Sequence, residues 1–285
     1  MISGKTAVYG IFGHPVEHTF SPGMHNAAFR KIGMNACYVP FAVAPEDLEK
    51  AVRAIIPLGL RGLNVTVPHK EKVVPLLDAL TEDAEAIGAV NTIEIRDGRL
   101  IGHNTDGRGF IKSLVDDASV RPRGRTFALV GAGGAARAVA CSLVLAGARM
   151  VFLHDVNGKK AAALARDLSK TVGPKARALG AEDFAEQAPH VDCLINATPL
   201  GLRPEDPLPI PRRMITKGQL VCDLVYNPQN TKLLQAARSR GARTLGGIGM
   251  LLYQGVIAFE VWTGRRAPVP VMRLALASQM RKHRK

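Results

Sequence analysis

Residues 126–138 read Thr126-Phe127-Ala128-Leu129-Val130-Gly131-Ala132-Gly133-Gly134-Ala135-Ala136-Arg137-Ala138. A strand pattern runs into a glycine-rich turn. An alanine-rich helical pattern follows, with Val139, Leu143 and Ala146 at helical spacing. This order predicts a βα unit that binds a dinucleotide. Gly131 permits the tight turn, Gly133 lets the backbone approach a pyrophosphate, and Ala136 stands where a small residue lets helix pack on strand. The helix aims its free N–H groups and positive dipole end at one spot. The backbone of Gly131, Ala132, Gly133, Gly134 and Ala135 is therefore the candidate cofactor cradle. A second strand, 149–153, ends at Asp155, roughly 20 residues on, where an acid accepts hydrogen bonds from the adenine ribose. The bland alternative is a βα turn that binds nothing.

Working outward, a chain of 285 residues is long for one core, so two domains are expected. No run of 18 or more apolar residues occurs, and the first residues lack the apolar core of a signal peptide. Cys37, Cys141, Cys193 and Cys222 lie far apart in apolar segments without metal spacing. They read as buried thiols of a reducing compartment, which points to the cytoplasm, no membrane partner and no metal site. The net charge of +14 raises nucleic acid as a partner. Part of that excess is the tail 281–285, and the other basic residues are scattered without interleaved aromatics, which argues against it. A positive field also attracts a phosphorylated cofactor and a small carboxylate substrate.

Before the central stretch, 6–11 and 37–43 read as strands and 45–56 as a helix, an α/β layout with crossovers. Thr19 and Ser21 precede a helix with Pro22 at its first position. Their hydroxyls can hold a small anion such as a carboxylate, or Ser21 can simply cap the helix. In 60–70, Leu63, Val65 and Val67 face one side of a strand while Asn64 and Thr66 face the other. Lys70 follows, so the strand end presents an amide, a hydroxyl and an ammonium together. Residues 72–80 read as helical and 88–95 as a strand with Asn91 in mid-course. Residues 96–99 form a hairpin turn, and 100–103 the return strand. Asp106 is a first-turn or capping acid of the next helix, or the partner that holds Lys70 charged.

After the stretch, 159–168, 181–187 and 231–239 read as helices, and 176–179, 192–196, 220–225 and 241–245 as strands. Asn196, Thr198 and Pro199 lie in a loop at the carboxyl end of a strand, on the nicotinamide side. Residues 246–249 read as a flexible joint, 250–262 as a helix with Gln254 inside an apolar run, and 271–279 as a last helix. The fold expected is α/β with two domains. Residues 1–104 hold substrate and catalytic groups, 105–245 form a Rossmann-type NAD(P)-binding domain, and the helices of 246–285 return to the first domain.

The runs SPGMHN (21–26), NVTVPHK (64–70), GAVNT (88–92), NTDG (104–107), GAGGAARA (131–138), NATPLG (196–201), DLVYNP (223–228) and 249–255 occur in one order along nearly the whole chain. In this the sequence resembles the shikimate dehydrogenase family, its quinate/shikimate branch included. The resemblance implies a cytoplasmic reductase of the shikimate pathway and aromatic amino-acid biosynthesis, monomeric or homodimeric. Such an enzyme interconverts 3-dehydroshikimate and shikimate with NADPH and NADP⁺. It further implies that Thr19 and Ser21 hold the substrate carboxylate and that Asn64, Thr66, Asn91 and Gln254 hold the ring hydroxyls. Lys70 and Asp106 would be the catalytic pair. Tyr226 would lie on the substrate side, and Gly247, Met250 and 196–199 on the cofactor side.

Two departures stand out. Thr19 replaces the family's usual first serine, and Asp155-Val156-Asn157 replaces the Asn-Arg-Thr of NADP-dependent members. An acid at Asp155 suits a ribose hydroxyl and repels a 2′-phosphate, while Lys159 and Lys160 partly offset it. The residues alone lean to NAD⁺ and the family default to NADP⁺. The rival readings are an NAD-dependent quinate/shikimate dehydrogenase and a non-catalytic dinucleotide-binding regulator.

Overall fold

A computed structural model of the chain describes residues 2–282, so 283–285 of the basic tail lie outside the described residues. The chain divides into two compact units. One takes the chain up to Thr105 together with everything from Gln254 onward, and the other is Asp106–Tyr253. The first contains β1 (Ala7–Gly13), α1 (Ser21–Lys31), β2 (Ala36–Ala42), α2 (Leu48–Arg53), β3 (Gly62–Val65), β4 (Ala79–Leu80), α3 (Glu82–Ile87), β5 (Thr92–Arg96) and β6 (Arg99–His103). Helix α4 (Thr105–Asp116) opens the second unit. There follow β7 (Thr126–Val130), α5 (Gly134–Leu145), β8 (Met150–His154), α6 (Gly158–Thr171), β9 (Ala176–Ala178), α7 (Ala181–Gln187), β10 (Cys193–Asn196), β11 (Leu220–Asp223), α8 (Lys232–Ser239) and β12 (Arg243–Gly246). Helix α9 (Ile248–Thr263) carries the chain back, and α10 (Val269–Lys282) packs on α1. No described helix is long and apolar enough to cross a membrane.

The described residues form two six-stranded sheets. The second, in order β12-β11-β10-β7-β8-β9, is parallel throughout. Its order reverses between β7 and β10, the switch point at which doubly wound sheets bind ligands beyond their carboxyl ends. The first sheet, β2-β1-β3-β5-β6-β4, is mixed. Strand β5 makes it so, running antiparallel to both β3 and β6; in the hairpin between β5 and β6, Asp97 and Gly98 both have positive φ, 51° and 72°, as a two-residue turn of type I′ requires. One face of this sheet buries Phe12, Leu63 and Val65 against Leu48, Val52 and Ile55. The other is aromatic. Tyr9 lies 5.0 Å from Phe29 and 5.5 Å from Trp262, and Tyr38 stacks on His25. The second unit buries Leu194, Val221, Leu233 and Phe184 in one cluster.

Several local expectations are corrected. Residues 72–80 form no α-helix; a short 3₁₀ turn, Val74–Leu76, leads into β4. Pro75 lacks the amide a helix needs and restricts Val74 before it. Strand β3 stops at Val65, and Val67 is 67% exposed rather than aligned with the buried Leu63. Asn91 precedes β5 instead of lying within a strand. The stretch 45–56 is a 3₁₀ turn followed by the short α2. The expected joint at 246–249 is densely packed: a Cβ at Gly247 would overlap the Leu224 carbonyl, and one at Gly249 the Ser113 hydroxyl. These glycines serve close approach. Cys37 is half-buried, and Cys193 and Cys222, distant in sequence, sit on neighbouring strands with sulfurs 3.5 Å apart.

His25 is fully buried among Phe29, Tyr38, Phe259 and Trp262, and burial pushes its pKa down to about 3. The folded chain keeps this imidazole neutral, whereas the unfolded chain protonates it near 6.5. Above that pH both states are neutral and the group contributes no pH dependence. As pH falls towards 3, only the unfolded state takes up the proton, and stability is lost at up to about 1.4 kcal/mol per pH unit. Denaturant midpoints measured from neutral pH to pH 4 should therefore fall less steeply in His25→Phe than in the parent. Parallel slopes would refute this assignment of the acid limb.

Candidate active site

In the first unit, polar side chains collect where β3 ends and β5 begins. Asn64 faces Thr92 across the antiparallel pair β3–β5. Asn64 is buried, and its amide is fixed by three bonds. Its Nδ2 donates to Asn91 O and to Thr92 Oγ1, each at 3.0 Å, and its Oδ1 accepts from the Tyr38 hydroxyl at 2.7 Å. Asn91 repeats the pattern one strand over. Its Oδ1 accepts from the Thr105 amide at 2.7 Å and its Nδ2 donates to Thr105 Oγ1 at 3.0 Å, which fixes the residue that starts α4. Asp106, with which the second unit begins, is a buried first-turn acid of that helix.

Lys70 is half-buried in the loop after β3, and its carbonyl accepts from the Val90 amide at 2.8 Å. His69 beside it is buried and bonded to Val43 O at 2.8 Å, and the Thr66 amide donates to Phe12 O at 2.9 Å, so the loop is anchored at Thr66, His69 and Lys70. Ser21 is the first residue of α1, with Phe20 in the capping position, so the capping alternative does not hold. Its amide donates to Thr19 Oγ1 at 3.3 Å, bringing the two hydroxyl residues together. Gln254, on α9, is buried.

In the second unit the glycine-rich turn has the form the sequence predicts. Gly131 has φ of 111°, and a Cβ there would stand 2.8 Å from Ala197 O. Turn and close approach both require glycine at this position. A Cβ at Gly133 would meet no protein atom within 4 Å, and its φ of −82° suits any residue. Nothing in the protein itself requires glycine there, whereas a group laid against the backbone does. Helix α5 begins at Gly134 with no side chain capping it, so its first-turn amides remain for an anion. The residues present thus fit a dinucleotide diphosphate.

Asp155 is half-buried after β8 and shapes this turn. Its carboxylate accepts from the Ala132 amide at 2.9 Å and the Asn157 amide at 2.8 Å. Val156, Asn157, Lys159 and Lys160 are exposed. Asn196 is fully buried at the end of β10. It donates to Leu200 O at 3.0 Å and Asp223 Oδ1 at 2.9 Å, and accepts from Thr198 N at 3.0 Å and Thr198 Oγ1 at 2.7 Å. Its amide is saturated, so it shapes the loop from within, while Thr198 is half-buried and Pro199 exposed. Tyr226 is half-buried, and burial raises its phenol above the usual value. Gly247 is buried and Met250 half-buried.

Sequence reading missed Tyr38, Thr92, Thr105, Asp223 and Thr231. Two carried a usable signal: Thr92 follows Asn91 in the GAVNT run, and Asp223 is an acid ending an apolar strand.

Residues 11–93 match the family model for the shikimate dehydrogenase substrate binding domain, and 247–276 that for the shikimate 5′-dehydrogenase C-terminal domain. The shikimate dehydrogenase (NADP(+)) of Desulforamulus reducens is 50% identical, over 99% of this chain and 98% of its own. The chain belongs to the shikimate dehydrogenase family. A shikimate dehydrogenase solved in complex with NADP⁺ superposes with a TM-score of 0.91 at 40% identity, covering 98% of each chain. The Listeria monocytogenes enzyme, solved with shikimate and NAD, gives 0.91 at 34% identity, over 96% of this chain and 98% of that one. The first matched segment spans Thr19, Ser21, Asn64, Thr66, Lys70 and Asn91, and the second Gly247, Met250 and Gln254.

Asp223 tests the loop architecture. It is buried and accepts from Asn196 Nδ2, from the Val225 amide at 3.1 Å and from Thr231 Oγ1 at 2.6 Å. Burial raises its pKa, and these donors oppose the rise. Asp223→Ala leaves three donors without an acceptor and should lower unfolding free energy by roughly 2–4 kcal/mol. A denaturation curve matching the parent would contradict this account of the loop.

Proposed function

We propose that the chain catalyses the reversible oxidation of shikimate to 3-dehydroshikimate with a nicotinamide dinucleotide. The observation that carries this reading is the near-full-length identity of 50% to a shikimate dehydrogenase. The residues support it: one unit gathers buried amides and hydroxyls suited to a polyhydroxylated ring, and the other holds a backbone cradle suited to a diphosphate. When bound, the dinucleotide supplies the hydride acceptor or donor. The cradle of Gly131, Ala132, Gly133, Gly134 and Ala135 takes its diphosphate, Asp155 and Asn157 meet the adenosine end, and Thr198, Pro199, Gly247 and Met250 line the nicotinamide end.

Thr19 and Ser21 donate to the substrate carboxylate. Asn64, Thr66, Asn91, Tyr226 and Gln254 orient the ring hydroxyls, which supplies the positioning that the reaction needs. Lys70 polarises the ketone and gives the carbonyl oxygen a proton in the reductive direction, and Asp106 favours the charged form of that lysine. Lys70→Ala should lower kcat by roughly 10²–10⁴-fold and leave the KM for dinucleotide unchanged. A folded variant with near-parental kcat would remove Lys70 from this role.

We assign NADP⁺ as the preferred dinucleotide and NAD⁺ as a poorer one. The name of the Desulforamulus reducens relative supports this, as do the exposed Lys159 and Lys160 at the start of α6. Asp155 works against a 2′-phosphate, although two backbone amides share its charge. Comparing kcat/KM for both dinucleotides on shikimate and on quinate tests the assignment. The expected order is shikimate with NADP⁺ first. Asp155→Asn should shift the ratio further towards NADP⁺ by about tenfold, close to the ~1 kcal/mol that one unit charge about 4 Å away exerts in a well-solvated setting. Preference for quinate with NAD⁺ would favour the rival dehydrogenase. A ratio untouched in the variant would show that the carboxylate points away from the ribose.

A further inference from the structure

The mechanism above leaves one buried carboxylate of the second unit unused. Asp223 is the last residue of β11 and is 1% exposed, so it touches no ligand itself. Strands β10 and β11 run parallel with Asn196 opposite Asp223, and the two release their loops side by side. The loop after β10 carries Thr198 and Pro199, and the loop after β11 carries Tyr226.

Asp223 joins these loops. Its Oδ1 accepts from Asn196 Nδ2 at 2.9 Å, on the first loop, and from Val225 N at 3.1 Å, on the second. Its Oδ2 accepts from Thr231 Oγ1 at 2.6 Å. Thr231 caps α8 by accepting from the Leu234 amide at 3.3 Å, so its one proton is left for the carboxylate. One oxygen thus serves both loops, and the other is fastened to a helix.

The carboxylate also decides which way Asn196 faces. Asp223 Oδ1 and Leu200 O both claim Nδ2, so Asn196 Oδ1 turns to Thr198 and accepts from its amide and its hydroxyl. Thr198 Oγ1 in turn accepts from the Leu200 amide at 3.2 Å. The Thr198 hydroxyl is spent inside the loop, and Thr198 lines the site by shape. The residue after Asp223 reaches a third element. The Leu224 amide donates to Asn196 O at 3.0 Å, and its carbonyl lies where a side chain at Gly247 would stand. All these residues belong to the second unit.

We infer that Asp223 is a positioning residue that fixes the loop of Thr198 and Pro199 against the loop of Tyr226, so that nicotinamide and substrate meet at the distance hydride transfer needs. This deepens the reading of those loops as nicotinamide-side and substrate-side, and rests on it. Reacting atoms must stand about 3–3.5 Å apart, and a misplacement of about 1 Å costs roughly 10²-fold. The strand ladder ends before either loop, and the carboxylate carries its constraint onward.

The other end of β11 supplies a control. Gln219 is also buried; its Nε2 donates to Ala188 O at 2.8 Å and Val191 O at 2.9 Å, and its Oε1 accepts from Thr216 N at 2.8 Å. Gln219→Ala should therefore lower the melting temperature as Asp223→Ala does, but far along the strand from the proposed site. Both are assayed with shikimate below their melting temperatures. Asp223→Ala should lower kcat about 10- to 100-fold, while Gln219→Ala stays within about threefold of the parent. Deuterium at the hydride-donating carbon of shikimate should slow Asp223→Ala more than the parent, because a misplaced nicotinamide makes hydride transfer the slow step. Asp223→Asn should restore kcat to within about threefold, since its oxygen still accepts from Asn196 and Val225 and its amide donates to Thr231 Oγ1. Equal kcat in Asp223→Ala and Gln219→Ala would reduce Asp223 to a stabilising role and overturn the proposal, while the parent's turnover leaves the functional reading standing. A folded parent without shikimate turnover would instead sink that reading, and this inference with it. Should Asp223→Ala fail to fold, Thr231→Val removes one anchor of the carboxylate and keeps the side chain's shape. It should lower kcat about three- to tenfold, and an unchanged kcat would count against the proposal.

Discussion

A primary amide shut away from water must find its hydrogen bonds inside the protein, and each unit places such amides at the ends of its strands. Asn64 sits at the end of β3 and Asn196 at the end of β10. Leaving one buried donor or acceptor unpaired costs about 1–3 kcal/mol, a large share of a domain's net stability. The constraint acts in both directions. The amides need partners, and the chain leaving a strand end has backbone groups that no ladder satisfies. Asn196 answers both needs through Leu200, Thr198 and Asp223. Asn64 does so through Asn91 and Thr92, and Asn91 passes the constraint on to Thr105 at the head of α4. The loops that carry the proposed chemistry are consequently held by strand-end side chains rather than by their own composition.

The same ordering prepares the charge environment. Asp155 draws the Ala132 and Asn157 amides onto its carboxylate, which folds the turn ahead of α5 and shares its own negative charge. Gly133 then stands exposed before an uncapped helix end, a fixed source of N–H donors for a diphosphate. In the other unit, the aromatic face built from Tyr9, His25, Phe29, Tyr38 and Trp262 includes the Tyr38 phenol, and that phenol points at Asn64. Core packing and the proposed substrate geometry share the same side chains there, so the two cannot be altered independently.

Much of this was legible from residues close in sequence. The βα turn at 131–136 and the hairpin at 96–99 are specified within a few positions by glycine, strand pattern and helix pattern, and both form as read. Motif resemblance also marked the hydroxyls and amides of the first unit. What escaped was non-local or ambiguous in kind. Tyr38 reads as one more strand aromatic until its phenol is known to meet Asn64. Glycines at 247 and 249 look alike whether a chain needs freedom or close approach, and only the neighbours Leu224 and Ser113 decide. The helix expected over 72–80 failed for a reason present in the sequence, since Pro75 outweighs the apolar spacing. Asn196 was expected to approach the cofactor, yet its amide is turned to its own loop.

The central claim is that the strand-end amides and hydroxyls of the first unit form a ready-made holder for a shikimate-like acid. Calorimetric titration of the purified, cofactor-free protein with shikimate tests it most directly. The account predicts saturable binding of one shikimate per chain, weakened strongly by Thr66→Val, which keeps the side chain's shape and removes its hydroxyl. A folded protein that binds NADP⁺ but shows no saturable uptake of shikimate would contradict it.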